Sequence, residues 1–337
     1  MSVNVALVGP IGAGKTSLFN ALTGGRGADG MGMVDVPDQR LGRLATAVHP
    51  RRVVAAQVRV IDAPPGSRAQ RIAAAREADV VIKVVRGFGP EPDPAGDLEE
   101  IELDMVLTDL ATVERRLELL AREQRGGRRE GAAEMVTLER ARVHLGEGQG
   151  LRSLAVDAET RSHLDPLFAV SLKPSVVVAN VGDSLLPDGG ELAQRVQRLA
   201  GERGLQSLPL SAKLELELGD LDPADATEMR ATFGLLESPL GGLTRAVWAA
   251  GGLITFFTAG EPEVRAWPCA DQAPAAQAAG VIHSDFERSF IRAEVTSVDE
   301  LVESGSMEAL RGQGRLRIEG RDYRVRDGDV VFFRVGR

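Results

Sequence analysis

The segment GPIGAGKT at 9–16, preceded by the apolar run VNVALV and followed by SLFNALT, limits this chain more than any other feature. It matches G-x-x-x-x-G-K-[ST], and the order strand, glycine loop, helix is the context that gives the pattern meaning. The glycines let the backbone curl until its N–H groups converge on phosphate oxygens, and the positive end of the following helix strengthens that field. The spacing predicts a cradle made by Gly9, Gly12, Ala13, Gly14, Lys15, Thr16 and Ser17. Lys15 is placed to stabilise the β- and γ-phosphates of ATP or GTP, and the Thr16 hydroxyl to bind Mg2+.

A strand that ends in such a loop needs a sheet around it. Val53–Ile61, Val80–Val85, Val176–Val181 and Leu208–Ser211 read as further strands, with helices over Arg68–Glu77, Glu191–Arg203 and Leu240–Ala250. That alternation predicts an α/β domain with a mostly parallel sheet. Between its halves, Asp97 is placed to cap a helix whose apolar stripe runs through Leu103, Leu107, Leu110, Val113, Leu117 and Leu120. The glycines at 126–127 stop it, and a second stripe follows through Met135, Leu138, Ala141 and Leu145. Two such helices predict an inserted antiparallel coiled-coil hairpin with a basic tip, REQRGGRRE. From Gly252 the pattern turns to short strands (LITFFTAG, EVRAW, FIRAEV, RLRIEG, RDYRV and DVVFFRV) with a helix over Val298–Leu310, an α+β module. The predicted organisation is a nucleotide-binding domain at 1–96 and 170–251, a hairpin at 97–169, and a small domain at 252–337.

The chain's 337 residues allow two or three domains, taking roughly 100–200 residues for each. A net charge of -9 argues against wrapping in nucleic acid by bulk charge, while leaving room for a local basic patch. Cys269 stands alone, so no internal disulfide forms and its expected role is as a small buried residue. The start MSVNVALVGP lacks the basic and apolar regions of a signal peptide, and the run VVIKVV is broken by Lys83. The expectation is a cytoplasmic protein without a membrane span.

Asp62 ends the strand VRVID, where the second magnesium contact beside a P-loop normally lies. Further on, Asn180 to Asp183, NVGD, leaves one strand, and Ser211-Ala212-Lys213 leaves the next. Together they resemble the base-reading loops N-K-x-D and S-A-K of GTPase-type domains, with Val181 where the lysine would stand. These assign Asn180, Asp183, Ser211, Ala212 and Lys213 to the nucleotide. A carboxylate at Asp183 suits the donor edge of guanine, so local chemistry leans to GTP without excluding ATP.

Longer strings carry a family resemblance. LFNALT after the P-loop, GMVDVPDQRLGRLA at 32–45, TDLATVERRLELL, SAKLELEL, LITFFTAGEPEVRAW, AGVIHSDFERSFIRAEV at 279–295 and RDYRVRDGDVVFFR resemble the YchF-type proteins of the Obg superfamily over nearly the full length. The resemblance implies a C-terminal TGS domain of β-grasp fold, hydrolysis of ATP often in preference to GTP, and association with the ribosome. RNA or ribosome contact is thereby expected through the hairpin tip and the TGS domain. It also makes His283, Ser284 and Asp285 part of the fold rather than a catalytic set, and Trp248 and Trp267 packing residues.

The departures from that family converge on hydrolysis. Gly12 replaces the family's asparagine. The segment 24–37 is shorter than the family's switch I and contains no Ser or Thr. After Asp62 the expected D-x-x-G reads D-x-x-P, with Pro65 offering no N–H and the glycine displaced to Gly66. The loop after Arg86-Gly87-Phe88 has lost the segment where the family carries a histidine implicated in hydrolysis. Gln70 is the one glutamine near switch II, and a solvated helix position suits it better than water positioning. Groups that position water or stabilise charge are worth factors of roughly 100 or more each, so slow hydrolysis is expected. Two functions stay open: a slow Mg2+-dependent NTPase acting as a regulatory switch, and a non-hydrolysing nucleotide-binding adaptor. A P-loop kinase fits less well, because the Asn180 and Ser211 loops and the C-terminal module have no place in one.

Overall fold

The computed structural model describes residues 3–63, 68–125, 131–155 and 157–336. The expectations for Pro65 and Gly66 and for the basic hairpin tip at 126–130 lie outside the described residues. Two compact units form: Val3–Met33 with Arg59–Leu243, and Val34–Val58 with the chain from Thr244 onward. The sequence reading kept 1–96 together, whereas 34–58 packs with the C-terminal residues.

The strands are β1 (Val3–Val8), β2 (Met31–Asp35), β3 (Val53–Val54), β4 (Gln57–Asp62), β5 (Val80–Gly87), β6 (Ser175–Val181) and β7 (Gln206–Leu210), followed by β8 (Leu253–Ala259), β9 (Val264–Ala270), β10 (Phe290–Ser297), β11 (Arg317–Glu319) and β12 (Asp329–Val335). The first sheet has the order β2-β4-β1-β5-β6-β7. Its central pairs β1–β5, β5–β6 and β6–β7 are parallel. β5 and β6 are buried almost end to end, as expected for strands covered on both faces. One expected strand, Val53–Ile61, is two. Val53 and Val54 pair in parallel with Val264 and Arg265 of β9 in the second sheet, while Gln57–Asp62 joins the first. The chain changes sheets across Ala55 and Ala56, which carry no turn signal.

The helices of the first unit are α1 (Lys15–Thr23), α3 (Arg68–Arg76), α4 (Pro94–Arg125), α5 (Ala132–Gly146), α6 (Ala158–Leu164), α7 (Gly190–Glu202), α8 (Ala212–Leu218) and α9 (Pro223–Thr232); α2 (Gln39–Val48) belongs to the second unit, and α10 (Pro239–Ala250) runs into it. α4 serves two cores. Leu98, Ile101 and Met105 pack with Val81, Val85 and Val177 of the sheet. Val106, Val113, Leu117 and Leu120 pack with Leu138, Ala141 and Leu145 of α5, the expected hairpin. This explains why Leu103 and Leu107 are exposed: sheet packing, not the hairpin seam, decides which face of the first three turns is buried. The helix also starts before Asp97, whose carboxylate accepts the Arg86 backbone N–H at 2.7 Å. Asp93 accepts from the Gly96 N–H at the helix start. Farther along, the buried Asp109 accepts the N–H groups of Val170 and Ser171 at 2.9 and 2.7 Å, tying α4 to the segment that re-enters the sheet at β6.

Lys83, read from sequence only as a break in an apolar strand, lies at the centre of β5 with 0% of its side chain exposed. Its ammonium donates to Glu102 on α4, which also receives Arg152 Nη2 at 3.1 Å. Burial pushes Lys83 down to about 8; the Arg152 charge acts in the same direction and Glu102 opposes both. Burial also raises Glu102, but Lys83 and Arg152 outweigh it and hold that carboxyl below its ordinary range.

In the second unit the sheet order is β11-β10-β12-β8-β9-β3, with β12–β8 parallel between antiparallel pairs. α11 (Ala275–Ile282) crosses it. Ala275, Ala278 and Ala279, at helical spacing of three and four, are buried against Ala293, Val295, Val331 and Phe333. Small side chains let the helix lie close, giving the expected β-grasp arrangement. α12 (Ser284–Arg288) follows, and the expected helix at 298–310 is two, α13 (Val298–Ser304) and α14 (Met307–Gly312), separated at Gly305 with φ 77. RDYRV is a turn joined to Pro274 by one bridge through Arg324 rather than a strand.

The buried triad has a pH signature. The folded chain carries the full cost of a charged Lys83 below pH about 8, and between there and the ordinary 10.5 the unfolded chain binds more protons. Stability contributed by this group therefore rises with pH across that window. Urea unfolding between about pH 8 and pH 10 is expected to show a more positive stability slope for the wild type than for Lys83→Met, and equal slopes would remove Lys83 as the cause.

Candidate functional site

β1 delivers the chain to the glycine loop at the C-terminal edge of the parallel strands, where ligands of such sheets bind. Gly9 is required by packing: a Cβ there would lie 2.2 Å from the Val84 carbonyl oxygen on β5. Gly14 combines φ 85 with an equally close approach, 2.2 Å from Asn180 Nδ2 to a Cβ. α1 then starts without a side-chain cap and without an acidic residue in its first turn. Its leading N–H groups and dipole are thus presented at the loop, the arrangement that favours an anion. Lys15 Nζ reaches across the loop and donates to the Gly9 and Pro10 carbonyls at 2.9 and 2.7 Å.

The two expected metal ligands meet. Thr16 Oγ1 donates to Asp62 Oδ2 at 2.7 Å. A hydroxyl and a carboxylate oxygen at this separation form a hard-oxygen donor pair, which fits Mg2+ completed by phosphate oxygens and water. Next to them the short segment at 24–30 is a tight turn. Ala28 and Met31 exchange backbone hydrogen bonds at 2.9 Å, and the Asp62 N–H donates to the Gly30 carbonyl at 2.8 Å. The backbone that flanks Asp62 is thereby tied to the segment where switch I was expected.

The loops after β6 and β7 come together beside the P-loop. Asn180 is 3% exposed. Its Nδ2 donates to the Ala13 carbonyl and its Oδ1 accepts from the Ala212 N–H, both at 2.9 Å. Ser211 caps α8, accepting from the Leu214 N–H at 3.2 Å, and its hydroxyl donates to Asp183 Oδ1. Lys213 Nζ stands 4.0 Å from Asp183 Oδ2 and 3.7 Å from Glu217. Val181, at the position of the missing lysine, is buried in the sheet core.

Every residue assigned to the site from sequence lies on these loops, at the strand ends beside them or, like Ser17, in the first turn of α1. The amide of Asn180, beyond what the sequence suggests, joins β6 to the P-loop and to the Ser211 loop. Phe88, whose ring lies beside Gly14, and Gly30, whose carbonyl holds Asp62, were not singled out. For Phe88 the signal was its place after β5 in a loop facing the P-loop; for Gly30 the pattern held none.

A glycine loop between a parallel strand and a helix, with N-x-x-D and S-A-K loops at the two neighbouring strand ends, defines a P-loop G-domain. Residues 253–336 match the family model YchF-GTPase_C, described as a protein of unknown function (DUF933). The chain is similar to the Ribosome-binding ATPase YchF of Bacillus subtilis, 31% identical over 363 residues, covering 99% of each chain. It is also similar to that of Haemophilus influenzae, 33% identical over 361 residues, with 99% of each covered. Among solved structures it resembles the Schizosaccharomyces pombe YchF GTPase with a TM-score of 0.90 and 25% identity, covering 99% of this chain and 98% of that one. The chain belongs to the YchF family. The 363 aligned positions exceed its 337 residues, so the Bacillus relative carries residues that this chain lacks.

Asn180→Ala removes two buried hydrogen bonds and leaves the Ala13 carbonyl and Ala212 N–H without them. A loss of about 2–4 kcal/mol is expected in urea unfolding, and a loss under 1 kcal/mol would mean that the loops hold together by other contacts.

Proposed function

We propose that this chain binds ATP or GTP with Mg2+ through the P-loop and hydrolyses it slowly, acting as a nucleotide-dependent regulatory switch. The observation that carries the reading is the meeting of Lys15, Thr16 and Asp62 around a loop held by Asn180. In this proposal the first-turn N–H groups of α1 take the phosphates and Lys15 exchanges its two carbonyl contacts for phosphate oxygens. Thr16 and Asp62 hold Mg2+, which, when bound, neutralises charge on the β- and γ-oxygens. Asp183, Ser211, Ala212 and Lys213 receive the base, while Asn180 keeps their loop in register with the cradle.

Relatives named Ribosome-binding ATPase support a ribosomal partner and hence a cytoplasmic protein. The hairpin tip and the β-grasp domain are the proposed contacts with ribosome or RNA. No described helix is long and apolar enough to cross a membrane. One observation favours a second reading, a nucleotide-binding adaptor without turnover. The turn at Ala28–Met31 is short, has no hydroxyl side chain and is fixed to Asp62 by a backbone bond. A segment so placed does not reach over a γ-phosphate to complete a magnesium shell.

Titration of the purified chain with ATP and GTP, with and without Mg2+, tests both readings. Binding that requires Mg2+ and falls at least about 10-fold in Lys15→Ala is expected. Phosphate release is expected at least 100-fold below the roughly 10 s⁻¹ typical of enzymes. Binding with no release selects the adaptor, release at the typical rate overturns the slow reading, and no binding of either nucleotide overturns both.

A further inference from the structure

We propose that Asp29 is a modification site: in the folded chain its carboxyl condenses with the Gly30 amide to a succinimide, and water reopens the ring to isoaspartate. The reaction needs no bound nucleotide; only its effect on the metal pair rests on the reading above.

The chain contains Asp-Gly three times, at 29–30, 188–189 and 327–328. Glycine leaves the amide nitrogen of each pair unshielded, so residue type alone does not choose among them, and the hydrogen bonds do. Asp327 Oδ1 accepts the Thr255 N–H at 2.9 Å and its Oδ2 accepts from the Arg40 guanidinium at 2.6 Å, while the Gly328 N–H donates to the Thr255 carbonyl at 2.9 Å. Asp188 Oδ1 accepts the Gly190 N–H at 3.0 Å, and the Gly189 N–H donates to the Leu185 carbonyl at 2.7 Å. In both pairs the carboxyl and the attacking nitrogen are already engaged. Asp29 is exposed, and among the described residues neither its carboxylate nor the Gly30 N–H has a hydrogen-bond partner.

The fold imposes this pair. Residues 29 and 30 are the centre of a two-residue turn between Ala28 and Met31, with φ 51 and 70. Both fall in the left-handed region that such hairpin turns require. Aspartate is among the few side chains that tolerate it. At 30 only glycine fits, because a Cβ would lie 2.5 Å from the Asp62 carbonyl oxygen. The ring closes when the Gly30 nitrogen attacks Asp29 Cγ. A C–N bond replaces a C–O bond, and the carboxyl hydroxyl leaves with the amide hydrogen as water. Water then adds to either ring carbonyl. Addition at Cγ restores aspartate, and addition at the main-chain carbonyl leaves the backbone running through the side chain, one carbon longer. A two-residue turn lengthened in this way does not keep the paired Ala28–Met31 bonds, and the Gly30 carbonyl that holds the Asp62 N–H moves with it.

Peptide mapping of the full chain by mass spectrometry, after incubation at neutral pH and physiological temperature, tests the assignment, with labelling by an isoaspartyl methyltransferase as the second readout. Isoaspartate at 29 is expected to exceed that at 188 and 327 by at least about 10-fold, because the latter two must first break hydrogen bonds to react. In urea the three sites are expected to react at similar rates, which makes the fold the cause of the choice. Asp29→Glu, whose larger ring closes far more slowly, removes the signal, and Asp29→Asn, with ammonia as the leaving group, reaches the same succinimide faster. Isoaspartate at 188 or 327 equal to that at 29 in the folded chain, or none at 29 where the unfolded chain forms it, overturns the inference. The incubated wild type is expected to lose Mg2+-dependent nucleotide affinity several-fold while incubated Asp29→Glu keeps it. Isoaspartate at 29 with affinity unchanged overturns the coupling to Asp62. A fresh chain that binds neither nucleotide overturns the nucleotide-binding reading, and the peptide map then decides the modification by itself.

Discussion

The carboxamide of Asn180 is the interaction on which the site depends. It is buried, it lies at the end of the most enclosed strand of the parallel sheet, and it uses a donor and an acceptor on two different loops. Neither the P-loop nor the Ser211 loop has a regular ladder to hold it once its strand ends. A side chain that satisfies one backbone group on each therefore sets their separation, at the cost of requiring an amide and no other group. The close approach of Gly14 follows from the same contact: any larger residue would push Asn180 away from Ala13. Base loop, P-loop and helix α1 are in this way one rigid frame rather than three adjacent pieces.

What the sequence made legible is what is local. The P-loop was readable because strand, glycines, lysine and helix follow one another without interruption, and the Thr16–Asp62 pair because a carboxylate at the end of a neighbouring strand has few other places to point. The parallel strands β5 and β6 were readable as unbroken runs of valine. The sequence assigns Asn180 to the nucleotide, but its bonds to Ala13 and Ala212 were not legible, since they depend on which loops meet in space. The split of Val53–Ile61 was hidden because Ala55 and Ala56 interrupt neither the apolar character nor the alternation. The exposed Leu103 and Leu107 mark the same limit: periodicity found a helix, but which face is buried depends on the sheet beneath it.

Lys83 and Glu102 show how a long-range requirement can hide in plain composition. A lysine in the middle of VVIKVV lowers the apparent quality of a strand, and a glutamate in a long amphipathic helix looks solvated. Their meeting turns two apparent defects into one buried pair, supported by Arg152 from beyond the hairpin. Such a group seldom adds stability over an apolar replacement, but it is costly to satisfy in any other register. With Asp109, which holds the Val170 and Ser171 amides, it fixes where a 32-residue helix lies on the sheet and where the chain returns to it. The hairpin is thus attached to the G-domain through polar contacts of defined direction as well as through a shared apolar face.

The same logic bears on the shortened segment beside Asp62. A switch loop works by exchanging between two arrangements of similar free energy, one of them completed by the terminal phosphate. Here the segment is a four-residue turn closed on itself, running straight into β2 and bonded to the Asp62 amide. To reach a phosphate it would have to break those bonds, and it has no hydroxyl with which to be repaid at the metal. The backbone bonds that hold the segment therefore favour this one arrangement. The base loop, too, is tied down, by the two bonds that Asn180 makes to Ala13 and Ala212. On the other side of the P-loop, β5 runs to the Arg86 amide, which donates to Asp97 on α4. Because α4 continues from that bond into the hairpin core, one unbroken helix joins the end of β5 to the hairpin.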